Sequence, residues 1–551
     1  MRYVRHFVLS IFIILIFLST AIGATYYIDA DNGNNSWDGR YPDHSQGASH
    51  GPKATGGFTY GFGFQPGDSI LFKRGTINMY QGQVTITAGG SPGNPIIFGA
   101  YGTGANPILT DGVIRTGWTS LGGGTYSLNI GSGPVGNVTE DVGTTGGSLP
   151  HSPDNTLATG NWFFDGGAKI LYYKPTSGVP TDHLVMTHGG VACYPYRNTS
   201  WLIFQDLTFI GNNGIYTFNK TWRVHNIVIQ RCTFTDCVQG LYFFAKPGYI
   251  NQNITIDNCL FQYNLNNVYF ARGINYTATN NNIWVINSKF LHTTETRYGG
   301  DWLWRNSDTD GISCQNIVDS IIEHNEITGI CNLSAGINCW FDRSAPGTGN
   351  IIRYNYIHDI TQGAGINWGG SDNGVCNAQI YCNIIVNCAG CPAAGALGGI
   401  SLQRAQTSLT PTKVYNNVIY SCNVGIFYNN LAAYFDVKNN IVYNSVKYQV
   451  RMNSNNSQIT SNNNCYYPIT GSIIYYNGHP RTYHSWTSLT GQDYYSITSD
   501  PVFVNAASGD YRLNANSPCK TAGSGVGLTY DYFGNKFKSS PSMGAIQYYQ
   551  E

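Results

Sequence analysis

Four carboxylates stand where paired acids could exchange protons with a substrate. Asp308 and Asp310 lie in one segment, Asp342 and Asp372 in the two that follow. Two carboxyl groups held about 5–5.5 Å apart, or somewhat wider, can split a glycosidic bond. One protonates the leaving oxygen and the other acts as nucleophile or base. Around them are groups suited to holding a polyol: Trp302, Trp304, Trp340, Arg305, Arg343, Arg404, Asn338, Asn367 and Gln403. An indole offers a flat apolar platform, while amides and guanidiniums supply directed hydrogen bonds. No metal ligand set is expected, because Cys388-Ala389-Gly390-Cys391 has no matching second pair nearby. Asp and Asn turns could bind Ca²⁺, but no Ca²⁺ motif is present, so no cofactor is expected.

The scaffold under these residues is written as a repeat. A polar or small residue followed two places later by an apolar one recurs ten times. It appears as Leu207–Phe209, Cys232–Phe234, Cys259–Phe261, Ser288–Phe290, Asn325–Ile327, Asn355–Ile357, Asn383–Ile385, Asn417–Ile419, Asn440–Val442 and Asn464–Tyr466. The steps are 25, 27, 29, 37, 30, 28, 34, 23 and 24 residues. Most phrases are followed by a Gly-apolar step, such as Gly311-Ile312, Gly336-Ile337, Gly365-Ile366 and Gly399-Ile400. Such a period means stacked units that bury their apolar faces against each other. The apolar runs are short, β-branched and aromatic, with Gly, Asn and Asp between them, so each unit is two or three short strands. That is one coil of a parallel β-helix.

Strand alternation then sorts the candidates. With Ile312, Ile337, Ile366 and Ile400 inward, Ser313, Asn338, Asn367 and Ser401 point outward. Gln315, Trp340, Gly369 and Gln403 follow on the same parity, and Trp368 falls inward. An outward Trp340 makes a sugar platform; the plainer alternative is a ring that pins the 295–310 segment. The longest steps, 37 and 34 residues, bracket this face. Neighbouring coils lie about 4.8 Å apart, so Asp342 and Asp372 can approach one another. Asp310 and Asp342 are seven residues apart along the strand direction, roughly 23 Å, too far for one pair. One cluster at most is catalytic.

Asp308-Thr309-Asp310-Gly311 resembles the Asn-Thr-Asp-Gly motif of polygalacturonases over Thr309, Asp310 and Gly311. In that family the Asp is a catalytic acid. Asp308 departs from the motif, Ala335-Gly336 replaces the family's paired Asp, and its other motifs are absent. More broadly, the coils, Tyr356-Ile357-His358-Asp359 and the closing Asp500–Ile546 tract resemble the right-handed, pectate-lyase-like β-helix superfamily of secreted carbohydrate-active proteins. The resemblance implies an all-β, right-handed parallel β-helix of about ten or more coils with an inserted hairpin region and terminal caps. The expected division is a signal peptide over 1–24, N-terminal cap and first coils over 25–117, a β insertion over 118–190, coils over 191–470 and a C-terminal capping segment over 471–551.

Composition bounds the partners. The chain has 551 residues, 30 basic and 30 acidic, and no basic stripe, so nucleic acid is not an expected partner. Arg2 and Arg5, an apolar run from Phe7 to Leu18 and small residues near Ala24 read as a secretion signal. A secreted monomer acting on a polysaccharide, with no membrane contact after signal removal, is the expectation. Of the 14 cysteines, most share register positions inside coils, so they read as buried thiols rather than disulfides. Three functions stay open. A glycoside hydrolase is favoured by the acids. A polysaccharide lyase acting on a uronate polymer is kept open by Arg297, Arg305, Arg343 and Arg404. A non-catalytic carbohydrate-binding protein gains from the absence of any complete motif.

Overall fold

A computed structural model describes residues 23–55, 63–79, 84–131, 135–142, 146–195, 199–217, 224–244, 250–271, 279–291, 309–330, 335–341, 347–370, 376–390, 398–403, 410–429, 434–453 and 458–550. Strands make up 49% of the chain and helices 4%, which makes it all-β. The chain winds as a right-handed parallel β-helix. Each coil lays down three strands, one in each of three rows. The first row is a parallel sheet that runs from Thr25–Ile28 through Ser69–Lys73 and Ile96–Tyr101 to Ile459–Asn462. Parallel stacking therefore starts at residue 25, well before the regular repeat begins. Among the described residues no helix is long and apolar enough to cross a membrane.

The second row contains the repeated phrase, and its register is the one the sequence spacing predicts. Phe209 pairs with Phe234, Phe234 with Phe261, Phe261 with Phe290, and Phe290 with Ile327. The series continues through Ile357, Ile385, Ile419, Val442 and Tyr466. The four Phe rings stack face to face, 4.9, 4.8 and 4.8 Å between centroids. Coil spacing and ring-stacking distance coincide, so a Phe column fills the interior without gaps.

The polar member of the phrase has its own role. Asn325, Asn355, Asn383, Asn417, Asn440 and Asn464 are all buried at the corner between the first and second rows. The backbone N–H of each of the first five donates to the amide oxygen of the next coil's Asn, at 3.1, 3.1, 3.0, 3.0 and 2.9 Å, and the Asn464 N–H ends the series on Ser496 Oγ at 2.9 Å. Side-chain Nδ2 groups repeat the bond to the same oxygens at 2.9–3.0 Å. Ser288 and Cys259 extend the ladder one-sidedly: Cys259 N–H donates to Ser288 Oγ, and Ser288 N–H to Asn325 Oδ1, both at 3.0 Å. The residue before each ladder position is left-handed: Arg231, Asn258, Asn287, His324, Tyr354, Cys382, Asn416, Asn439 and Asn463 all have φ between 51° and 60°. That conformation costs a non-glycine residue about 1 kcal/mol, and the bonds it permits offset the cost.

The expected hairpin is present: Trp162–Asp165 pairs antiparallel with Ile170–Tyr173. Thr119–Gly122 and Thr125–Asn129 complete a four-stranded sheet around Trp162, Leu171 and Tyr173. This insertion is tied to the coils through Asp236, whose carboxylate accepts from Ser148 N–H at 2.9 Å. Asp236 is the left-handed corner that turns its coil from the second row into the third, so the insertion abuts the entry to the third row.

The twelve described cysteines are buried and free, including the stacked pair Cys314 and Cys339. Cys331 and Cys391 lie outside the described residues. Burial pushes the Cys259 and Cys376 thiols up to about 12. A thiol reagent should therefore label none of these twelve in native protein and all of them in denaturant; disulfides detected between them by mass spectrometry would contradict the packing. Asn383→Ala removes the acceptor of two Asn355 donors and three donated bonds. It should lower unfolding free energy by on the order of 3 kcal/mol in chemical denaturation. An unchanged midpoint would show that the ladder does not hold the coils.

Candidate functional site

The third row contains the outward face read from the sequence. Ile312, Ile337, Ile366 and Ile400 are fully buried in the main core. So is Trp368, whose ring lies 4.7 Å from that of Phe341. Trp340 stays outside that core, half-buried, between Gln315 of the preceding coil and Gly369 of the next. Gly369 presents no side chain beside the indole. It also sits at φ 136°, where an added Cβ would meet the Cβ of Gln403 at 2.7 Å, so no larger residue fits there. The platform is thus kept open on one side by backbone geometry.

The amides beside it form a chain rather than a solvated ladder. Asn338, Asn367 and Gln403 are only 8, 7 and 4% exposed. Asn338 donates to Asp310 Oδ2 at 3.0 Å, Asn367 donates to Asn338 at 2.9 Å, and Gln403 donates to Asn367 at 3.0 Å. Asn429 donates to Gln403 at 2.6 Å, Asn453 to Asn429 at 3.2 Å, and Arg451 Nε to Asn453 at 3.0 Å. Every donor points toward Asp310 and every acceptor toward Arg451. A chain that starts on a guanidinium and ends on a carboxylate polarises each bond in the same sense. Asp310 itself is 2% exposed and also accepts from Ala335 N–H at 3.1 Å. Its carboxylate is engaged in holding the face.

Of the other residues singled out, Asp308, Asp342, Asp372, Trp302, Trp304, Arg305, Arg343 and Arg404 lie outside the described residues. One aromatic series was missed. The outward position directly after the Gly-apolar step runs Tyr194, Tyr216, Tyr242, Tyr269, Ser313, Asn338, Asn367, Ser401, Phe427, Arg451, Tyr475 down the third row. Tyr216 and Tyr242 stack at 4.8 Å, and Arg451 lies 5.7 Å over Phe427 and 5.0 Å over Tyr475. Burial pushes the Tyr216 hydroxyl up to about 12. The signal was available: the tyrosine follows Gly214-Ile215 and Gly240-Leu241 directly. The column spans ten coil steps, roughly 48 Å at the usual strand spacing.

A metal-like cluster lies in the insertion instead. Glu140, Asp141 and His183 bring their ligand atoms within 4.8 Å of one another. His183 Nδ1 is 2.7 Å from Asp141 Oδ2, and Nε2 is 2.8 Å from the Ser177 carbonyl. Glu140 accepts from the hydroxyls of Tyr173 and Thr176. With both ring nitrogens facing acceptors, the imidazolium satisfies the cluster without an ion. Burial pulls His183 down, but Asp141, the Ser177 carbonyl and Glu140 outweigh it and hold it above its ordinary 6.5. Burial pushes Asp141 up, but His183 and the Leu184 N–H outweigh it and hold it below 3.8.

No protein-family model and no curated protein matches the chain. Solved structures do. The complex of XylC with xylose superposes with a TM-score of 0.53 at 10% identity, covering 96% of this chain and 99% of that one. Pectate lyase Pel9A gives 0.41 at 14%, over 96% and 97%. The GH136 lacto-N-biosidase from Eubacterium ramulus gives 0.39 at 12%, over 83% and 66%. At such identities the likeness shows the fold alone.

The His183–Asp141 pair sets a pH dependence. The raised His183 contributes stability fully below pH 6.5 and loses it as pH rises through its higher folded value. The lowered Asp141 contributes above pH 3.8 and loses it as pH falls. The difference in melting temperature between wild type and His183→Asn should therefore be largest between pH 3.8 and 6.5 and shrink on either side. A difference that grows above pH 6.5 would show that His183 is held neutral.

Proposed function

We propose that this chain is a secreted carbohydrate-active protein that binds a polysaccharide across the outer face of the third row, with Trp340 as the platform, and hydrolyses it with paired carboxylates. The observation that carries the reading is Trp340 itself: a half-buried aromatic ring outside the core, beside a glycine that places no side chain against it, on a row whose outward positions recur coil after coil. A stacked coil repeats its binding groups at a fixed interval, as a polymer repeats its units. The partly exposed tyrosines from Tyr194 to Tyr269 extend the face in one direction, and Tyr475 extends it in the other, past a buried Phe427. Structural neighbours that include a complex with xylose, a pectate lyase and a lacto-N-biosidase accord with sugar as ligand.

Asp310 is committed to Asn338 and Ala335, which leaves Asp342 and Asp372 as the preferred pair. Asp342 follows Phe341 directly and Asp372 follows Gly370 by two, and Phe341 pairs with Gly370 across neighbouring coils. In this role one carboxyl protonates the glycosidic oxygen while the other attacks the anomeric carbon or activates water. A lyase acting on a uronate is the second reading, favoured by Arg451, which puts a cation on the same column.

Incubation with a panel of polysaccharides tests the class. Hydrolysis yields new reducing ends without the ultraviolet absorbance of an unsaturated uronate; a lyase yields both. Trp340→Ala should raise KM about tenfold or more, from a stacking contact of roughly 1–3 kcal/mol by analogy with bases, with little change in melting temperature. Asp342→Asn and Asp372→Asn should each abolish turnover while Asp310→Asn lowers stability. A Trp340→Ala protein that unfolds, with unchanged affinity in its folded fraction, would make the ring structural.

A further inference from the structure

A second cleft lies on a different side of the coil, where the first row turns into the second. It encloses about 490 Å³ between two coil corners and a turn of the C-terminal segment. His324, Glu326, Tyr354 and Tyr356 line it from the coils; Tyr532 and Phe533 line it from the C-terminal side. The His324 and Tyr354 rings lie 5.0 Å apart, and Tyr354 donates from its hydroxyl to the Tyr530 carbonyl at 3.1 Å, which ties the two walls together.

The C-terminal wall is built to stay still. Asp531, 1% exposed, accepts from the N–H groups of Phe533, Asn535 and Gln547 at 2.9, 2.7 and 2.9 Å. On the turn so fixed, Phe533 is 60% exposed. Its ring meets that of Tyr532 edge-on at 5.1 Å, and the rest of its surface stays in water at the rim of an aromatic-lined cleft. The polar groups in the cleft are equally placed. Glu326 Oε2 is bound by Lys289 Nζ at 2.6 Å, while Oε1 lies 3.8 Å from His358 Nε2, a buried ring nitrogen without a hydrogen-bond partner. Aromatic faces with a few convergent hydrogen-bonding groups suit a ring that is apolar on its faces and hydroxylated at its edge. The Glu326 carboxylate disfavours a uronate and accepts from neutral hydroxyls.

We propose that this cleft is a second carbohydrate site, one that takes a neutral pyranose unit stacked on Phe533 with Glu326 and His324 at its hydroxyls. It rests on the reading of the chain as carbohydrate-active. It holds the polymer at a distance from the third-row face and performs no cleavage. The site adds a second point of attachment, which raises the effective concentration of chain segments at the first.

Calorimetric titration with neutral trisaccharides from xylan, mannan and cellulose, and with trigalacturonate, tests it. Wild type should bind two molecules of one neutral trisaccharide per chain. Phe533→Ala should leave one, and Trp340→Ala should leave the other. Glu326→Gln preserves the shape of the cleft and should weaken the same site at least fivefold, which keeps the test valid if Phe533→Ala fails to fold. A Phe533→Ala isotherm equal to wild type, with Trp340→Ala losing all binding, overturns this site and leaves the third-row reading standing. Binding of trigalacturonate alone at the cleft overturns the assignment of a neutral sugar. A protein that binds none of the sugars contradicts both readings.

Discussion

The coils are held in step by one column of buried amides. From Asn355 onward each ladder asparagine accepts two bonds from the coil before it and donates into the coil after it, so no member can be satisfied alone. An asparagine is well suited to this: its oxygen has two lone pairs and its nitrogen two protons, all used here within the protein. The left-handed residue before it makes the corner sharp enough for the amide to point inward. Where Cys232, Cys259 and Ser288 occupy the same position, the Phe column runs beside them and ring stacking supplies cohesion instead. The ladder and the stack are two solutions to one constraint, a spacing near 4.8 Å that every side chain on the axis must match.

That constraint makes the outer faces periodic as well. On the third row it yields a column of tyrosines at one end and a polar chain from Arg451 to Asp310 in the middle. The chain engages both the nitrogen and the oxygen of Asn338, Asn367 and Gln403 within the protein, and so fixes the floor on which Trp340 stands. A rigid floor suits ligand binding, because little ordering is left to be done when the sugar arrives. Asp310 belongs to that floor.

The coils were legible because the amide ladder demands a residue type at a fixed place: Asn325 through Asn464 announce their register without any count of strands. Inward and outward parity at Ile337, Trp340 and Trp368 followed from it. The burial of Asn338 and Asn367 was not legible, since alternation says which side a residue takes and not whether its neighbours satisfy it. The tyrosine column escaped because each Tyr looks like ordinary strand composition until coils are laid side by side. His183 and Asp141 lie 42 residues apart in a segment without repeat, so no spacing rule connects them. The acids at 308, 342 and 372 were chosen from chain position, and their geometry lies beyond the described coils.

The most direct measurement of the central claim is a crystal structure of the protein with an oligosaccharide from whichever polysaccharide it binds. The account predicts sugar rings along the outer face of Ile312–Gln315, Ala335–Phe341 and Ala364–Gly370, one of them in van der Waals contact with the Trp340 indole. Sugar bound only elsewhere on the molecule, with the Trp340 ring untouched, would contradict it.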